Sequence, residues 1–417
     1  MTKIKKEQNR GLWLDAWRKL RRNKPAMVGL IFICFAVIIS ILGANIRPDG
    51  SPDANEQHSP IAKLKPGSEI DMLLVRKNEE VEKSGFFGKL LMGGSENEYK
   101  QYPFNAYSFD GIYVTIEEYY DPGPLSKYEA SHKSYALPEV LYPLDIEKDI
   151  KFKDLGNGMM EIHLLNKEVI PRSIADMQKE VKNNQIIKES YFLGTDRHGR
   201  DFLSRIMSGT VISLSVGLIS VAISLFIGLL LGALAGYYRG WVDELIMFLI
   251  NVIWSIPALL LIISITLVVG KGFSTVFMAV GLIMWVDLAR LVRGQVLSIR
   301  EKEYIEAGRA LGFNDLRIIR KHVLPNIIGP VIVQSANNFA TAILLEAGLS
   351  FLGIGTKIPM ASWGTIITTH KDFLTQPEYS FLAIVPGLCI MILVFSFMLL
   401  GNGLRDAFDT KGIDVNV

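Results

Sequence analysis

The sequence predicts an all-α polytopic membrane protein of six transmembrane helices, with an inserted extracytoplasmic α+β domain. Three observations carry that prediction. Hydrophobic residues occupy 49% of the 417 positions and charged residues only 21%. The apolar residues gather into uncharged runs at 25–46, 206–238, 245–270, 272–286, 323–345 and 379–404. Between the first and second runs lies a mixed-charge, proline-containing segment, 47–190, with no long apolar stretch.

A bilayer core of about 30 Å is crossed by roughly 20 apolar helical residues. Five runs reach that length alone; the run at 272–286 reaches it by continuing through Asp287, Leu288 and Ala289 towards Arg290. Orientation follows from where positive charge sits, since a net charge of +2 says little. Residues 1–24 carry Lys3, Lys5, Lys6, Arg10, Arg18, Lys19, Arg21, Arg22 and Lys24 against Glu7 and Asp15. Residues 290–321 carry Arg290, Arg293, Arg300, Lys302, Arg309, Arg317, Arg320 and Lys321. The positive-inside rule places both in the cytoplasm. Six spans then put both termini on the cytoplasmic side of the inner membrane and 47–190 on the extracytoplasmic side.

The expected organisation is an N-terminal elbow helix (1–24), a first span (25–46), the outer domain (47–190), a five-helix core (191–404) with a cytoplasmic loop at 290–324, and a tail (405–417). The first span exceeds a signal-peptide apolar core and has no small-residue cleavage site after it, so it reads as retained. Trp13, Trp17 and Leu20 interleave with Arg18, Lys19, Arg21 and Arg22, which suits a helix lying in the headgroup layer of the bilayer. Cys34 and Cys389 both fall in apolar runs, so the outer segment folds without a disulfide. Within it, 48–60 reads as an irregular linker, and 112–116 and 161–165 read as strands.

Three features of the apolar runs bear on function. Gly228, Gly232 and Gly236 recur every four residues, a groove that lets another helix approach closely. Pro257 removes a backbone donor and should kink the third span. Gln334, Asn337, Asn338 and Thr341 put polar groups on an apolar helix; positions 334, 338 and 341 share a face. Such a stripe faces the bundle interior, either lining a path for a polar substrate or bonding helices together. Glu346 falls at the outer end of that helix, where a charge can reach the interface, and it is grouped with these four as a candidate pathway residue.

The most informative segment is 298–325, SIREKEYIEAGRALGFNDLRIIRKHVLP. Ser298 and Glu301 form a capping-box pattern for a helix running to Leu311. Gly312 suits a left-handed stop, and Asn314 suits the cap of a second short helix leading through Leu324 and Pro325 into the fifth span. Tyr304, Ala307, Gly308 and Leu311 share a face, with Glu306 and Arg309 at its edge. Periodicity alone fits an ordinary amphipathic loop helix equally well.

Glu306-Ala307-Gly308, Gly312 and Leu324-Pro325 resemble the EAA loop of bacterial ABC importer permeases: Glu-Ala-Ala, three residues, Gly, nine residues, Ile-x-Leu-Pro. Gly308 stands in place of the third alanine and His322 in place of the isoleucine. Other segments resemble the C-type subunit of the dipeptide/oligopeptide (peptide/nickel) permease group: Arg21-Arg22-Asn23-Lys24, LGTDRHGRDFLSR at 193–205, EAGLSFLGIG at 346–355 with Ala361-Ser362-Trp363-Gly364, and GNGLRDAFD at 401–409, where Asn402 replaces the usual aspartate. The resemblance covers roughly 18–46 and 191–409; 47–190 departs from it, since typical members have a far shorter connection.

The resemblance implies the type I importer permease fold and a non-catalytic role in carrying di- or oligopeptides across the cytoplasmic membrane. It implies that Tyr304, Glu306, Ala307, Gly308, Leu311, Gly312 and Pro325 couple to ATPases. The partners it implies are a B-type permease, two P-loop ATPase subunits binding ATP and Mg, and an extracytoplasmic peptide-binding protein. No phosphate-loop pattern G-x-x-x-x-G-K-[ST] occurs here, so no cofactor is expected on this chain. No metal-ligand spacing surrounds His198, and no nucleic-acid partner is expected. A permease for nickel or another metal chelate is the alternative cargo reading. A membrane-anchored sensor or enzyme acting through 47–190 is the alternative from another class.

Overall fold

The computed structural model describes residues 12–81, 85–120, 131–148, 150–355 and 359–408. Lys3, Lys5, Lys6, Arg10 and the tail beyond Phe408 therefore lie outside the described residues, as does the Trp13 side chain. Internal contacts divide the chain into two units: Met1–Ser40 with Gly209–Leu374 and Ala383–Val417, and Ile41–Ser208 with Thr375–Leu382.

Helix α1 (Leu12–Arg22) and helix α2 (Lys24–Ile46) are separated at Asn23. The Asn23 Oδ1 accepts the Ala26 N–H at 3.2 Å, so a side chain satisfies a donor that the start of α2 leaves open.

The second unit is built on antiparallel strands. In chain order these are β1 (Ser68–Arg76), helix α3 (Phe86–Met92), β2 (Tyr99–Asp110), β3 (Tyr113–Glu118), β4 (His132–Ala136), α4 (Leu137–Leu141), β5 (Phe152–Gly156), β6 (Met159–His163), β7 (Val169–Ser173), α5 (Ile174–Glu180) and β8 (Ile186–Tyr191). They form a five-stranded sheet, ordered β4-β3-β2-β1-β8, and a three-stranded sheet, β5-β6-β7. Asn157 and Gly158 join β5 to β6 with φ of 55° and 74°. Asn-Gly suits that pair of positive angles, which match the twist of the flanking strands. Leu73, Val114 and Ile116 of the larger sheet, Met160 and Ile162 of the smaller, and Leu137, Val140, Met177 and Val181 from the helical segments are all buried in one core. Strand β3 includes part of 112–116, and β6 starts two residues before 161.

Residues 48–60 have no regular structure beyond two 3-10 turns, but they are pinned in place. The Arg47 guanidinium donates to the carbonyls of Asp49 (2.6 Å) and Gly93 (2.6 Å) and to that of Ser51. The Asp49 carboxylate accepts the N–H groups of Ser51 (2.8 Å) and Glu56 (3.2 Å). Arg47 is buried, and a buried cation needs such acceptors; the chain curls round it in two 3-10 turns, Pro52–Ala54 and Ser59–Ile61.

The remaining helices are α6 (Phe202–Tyr238), α7 (Gly240–Trp254), α8 (Ala258–Val269), α9 (Phe273–Arg300), α10 (Glu303–Ala310), α11 (Asp315–Ile318), α12 (Leu324–Phe351), α13 (Trp363–His370) and α14 (Phe381–Phe408). Among the described residues five helical segments are long and apolar enough to cross a membrane: α2, α6, α9, Asp315–Phe351 and α14. The number becomes six if α7 and α8 together make one span; they meet at 88°. Pro257 thus sits at a break rather than a kink. It caps α8 with φ −55° and ψ 124°, because it lacks an N–H and disfavours helical backbone before it.

Helix α6 packs against α9 through its glycines. A Cβ built on Gly228 would lie 2.9 Å from the Leu288 Cβ, one on Gly232 2.5 Å from the Ala289 carbonyl oxygen, and one on Gly236 2.8 Å from the Arg293 carbonyl oxygen. All three positions require the missing side chain.

Candidate functional site

The segment joining α9 to α12 is the best-defined candidate surface. Helix α9 does not end at Ser298: Val292 and Val296 are buried and Ile299 packs beside them, so the apolar period carries the helix through Ser298 to Arg300. The expected capping box at Ser298 and Glu301 therefore does not form. The chain breaks at Glu301 and Lys302 instead, where Glu301 pairs with Arg239 at 2.5 Å.

Helix α10 has two faces. Ile305 and Gly308 turn inward and are buried, with Ile305 in a cluster that includes Tyr237, Val292, Val296, Ile318 and Val323. Tyr304, Glu306, Ala307 and Leu311 are exposed; Tyr304 retains 47% and Leu311 73% of its accessible surface. The expected shared face of Tyr304, Ala307, Gly308 and Leu311 is thus divided. Ile305, three residues before Gly308, is the larger apolar group, and its burial draws Gly308 inward beside it. A Cβ on Gly308 would meet the Phe313 ring at 3.4 Å.

Backbone geometry fixes the end of this helix. Gly312 adopts φ 77°, and the Phe313 N–H reaches back to the Gly308 carbonyl at 3.1 Å. This left-handed closure satisfies carbonyls that would otherwise be open. The Asn314 Oδ1 accepts the Arg317 N–H at 2.9 Å and starts α11. A wide turn, Ile319–Val323, leads into α12, with Pro325 in its first turn, where a missing N–H costs nothing.

Three contacts that no local pattern announces hold this segment and the end of α9 that leads into it. The Tyr237 hydroxyl donates to Asp315 Oδ1 at 2.7 Å, and the guanidinium of Arg309 lies 5.1 Å from the Tyr237 ring centroid. Arg293 meets Asp243 through two bonds of 2.5 and 2.6 Å, the bidentate arrangement that a planar guanidinium favours. Exposed apolar surface continues onto α11 at Leu316, which is 72% exposed. The outcome is a firmly seated helix presenting tyrosine, leucine, alanine and the two carboxylates of Glu303 and Glu306.

The polar residues of α12 separate as well. Gln334 donates to Asn338 at 2.9 Å, and buried Asn338 donates to Ser224 of α6 at 3.3 Å. Asn337 and Thr341 are exposed, with Thr341 donating to the Asn337 carbonyl at 3.0 Å. Thr341 therefore keeps company with Asn337, not with 334 and 338, because Asn338 turns in to find a partner. Glu346 does not reach an interface: it is fully buried, accepts from Ser350 at 2.7 Å and receives Ser213 of α6 at 3.5 Å. Serines supply the bonds that a carboxyl group needs away from water.

Comparison with known proteins agrees on what this arrangement belongs to. Residues 228–411 match the family described as binding-protein-dependent transport system inner membrane component, and residues 11–66 match the N-terminal TM domain of oligopeptide transport permease C. The glutathione transport system permease protein GsiD of Pectobacterium atrosepticum is 40% identical over 55% of this chain and 75% of its own length. The dipeptide transport system permease protein DppC of Alkalihalophilus pseudofirmus is 40% identical over 53% of this chain and 72% of its own. The oligopeptide transport system permease protein OppC of Bacillus subtilis is 37% identical over 54% and 72%. Among solved structures, an inward-facing MetNI methionine ABC transporter chain matches with TM-score 0.42 and 20% identity, covering 49% of this chain and 96% of that one. The chain belongs to the family of binding-protein-dependent transport system inner-membrane permease components.

Proposed function

We propose that this chain is one of two permease subunits of an ABC importer for peptides, driven by separate ATPases that dock on α10. The observation that carries the reading is the division of α10 into an anchored face and an exposed face. Ile305 and Gly308 lock the helix onto α9 and α12, while Tyr304, Glu306, Ala307 and Leu311 remain available to a partner. A push on that exposed face is transmitted through a rigid body, because Tyr237, Asp315 and the Gly312 closure leave the helix little freedom of its own.

In this reading the loop at 290–324 and both termini lie in the cytoplasm, and 47–190 lies outside the inner membrane. Helices α7 and α8 make the sixth span. Asn337 and Thr341 line the substrate pathway together with the second permease, whereas Gln334, Asn338 and Glu346 hold α12 to α6. ATP and Mg bind the partner subunits, and an extracytoplasmic binding protein delivers the cargo. Peptide cargo is supported by the names of the similar proteins, which transport glutathione, dipeptides or oligopeptides.

Orientation is tested by placing single cysteines at Ser95 and at Lys302 and labelling intact spheroplasts with a membrane-impermeant maleimide. Labelling at 95 without labelling at 302 supports the topology; the reverse pattern contradicts it. Cargo is tested by reconstituting the purified complex with its binding protein. Stimulation of ATP hydrolysis by di- or oligopeptides supports the reading, and stimulation by a nickel chelate alone overturns the peptide assignment.

A further inference from the structure

The second unit holds a cavity of about 300 Å³ whose wall is markedly acidic. Asp49, Glu56, Glu96, Glu98, Glu189 and Asp201 contribute carboxylates to it against the single ammonium of Lys89. Glu98 is already paired with Arg76. Of the others, Asp49 accepts two backbone N–H groups and feels the charges of Arg47 and Arg205, Glu56 is bonded by Asn97 at 3.4 Å with only a weaker influence from Lys77, and Glu189 is bonded by the uncharged Tyr191 hydroxyl at 3.0 Å.

Asp201 is the carboxylate with the most open acceptor. It retains 6% of its accessible surface, and its Oδ2 accepts the Ser204 N–H at 2.7 Å. Its Oδ1 has no hydrogen-bond partner among the described residues. A buried carboxylate oxygen left open costs free energy that a donor would recover. Burial first, and neighbouring carboxylates second, push Glu56 up to about 7 and raise Glu189 and Asp201 above the ordinary carboxylate range. These are carboxylates short of positive charge.

We infer that this cavity is a binding site for the primary ammonium group of a small organic amine. Among the described residues no three histidine, cysteine or carboxylate side chains converge as a metal ion demands. The carboxylates instead surround a space the size of a small-molecule site. A primary ammonium puts donors and a positive charge on one small centre, so it can donate to the open Asp201 Oδ1 while its charge is balanced by the surrounding carboxylates without their converging on one point. The amine can come from the free terminus of a small peptide or from a free di- or polyamine. The site stands whether or not the chain carries peptides.

The test is calorimetric titration of the full chain in detergent, at about pH 8, with triglycine, N-acetyl-triglycine and 1,4-diaminobutane as probes. Saturable binding of triglycine, lost on acetylation, identifies a peptide terminus; binding of the diamine identifies a free amine. In either case the paired change Glu56→Gln with Glu189→Gln is expected to weaken binding by about tenfold or more. Lys89→Ala is expected to tighten it, a gain that misfolding cannot imitate. The inference is overturned if neither amine gives saturable heat, if the carboxamide variant binds as well as the parent, or if calcium saturates the site while both amines are silent.

Discussion

The two units spend their apolar side chains differently. In the unit of Ile41–Ser208, large apolar groups such as Leu73, Ile116, Leu144 and Ile162 are fully buried, as in a domain that water surrounds. In the other unit, Phe226, Phe248, Val268 and Phe395 each keep 60% or more of their surface exposed, while the buried positions include small residues and serines: Ala235, Ala279, Ala289, Ser213, Ser220 and Ser224. Lipid removes the penalty on outward apolar groups, so helices there associate by close approach and a few hydrogen bonds. The lesson is that one chain meets two solvents, and each unit's sensitivity to mutation follows its own.

Four predictions sharpen this comparison, from the largest effect to the smallest. Gly232→Leu should prevent assembly of the helical unit, since even a Cβ there meets the Ala289 carbonyl oxygen at 2.5 Å. The clash is with backbone, which cannot step aside as a flexible side chain can, so the cost should exceed the usual overpacking penalty; the check is loss of the monodisperse peak in detergent gel filtration. A normal peak would show that α6 and α9 separate freely. Ile162→Ala, in the core of the strand-built unit, should cost about 2–5 kcal/mol; it should lower the melting transition of that unit and leave the helical one unchanged. A joint shift of both would mean that the units do not melt separately.

Tyr237→Phe removes the 2.7 Å bond to Asp315 and should cost about 0.5–1.5 kcal/mol. Hydrogen exchange in 303–318 should quicken while the strands keep their protection. The smallest effect is on pH dependence. Glu56 has a folded-state pKa of about 7, above its ordinary 4.5, so the folded unit binds more protons than the unfolded chain between those values. Its contribution therefore favours folding at acid pH and is lost as pH rises through about 7. Glu56→Gln should flatten the melting temperature of that unit across this window; an unchanged slope would contradict the shift.

The family was legible in the sequence because its signal lies in adjacent residues: 306–312, 324–325 and 346–355 each carry a motif within a short stretch. So were the apolar runs, since hydropathy needs no partner. What sequence missed needs the fold. Tyr237 and Asp315 stand 78 positions apart and Arg293 and Asp243 stand 50 apart, and nothing local marks either pair. Ile305 carries no motif signal beside the more distinctive Glu306, yet its burial decides which way α10 faces. Glu346 looked interfacial because its serine partners, Ser213 and Ser350, sit on another helix and one turn away. In the strand-built unit, short strands and an acidic cavity assembled from residues between 48 and 201 left no periodic trace.

The central claim is that the exposed face of α10 receives an ATPase. The most direct test is to purify the tagged chain from gently solubilised membranes, with and without Glu306→Arg combined with Leu311→Asp, and to measure what accompanies it. Both side chains are exposed, so the variant should fold and retain the partner permease. The account predicts ATPase subunits with the parent chain and their loss, together with peptide-stimulated ATP hydrolysis, from the variant. Equal recovery of ATPases and equal stimulation in both would contradict it.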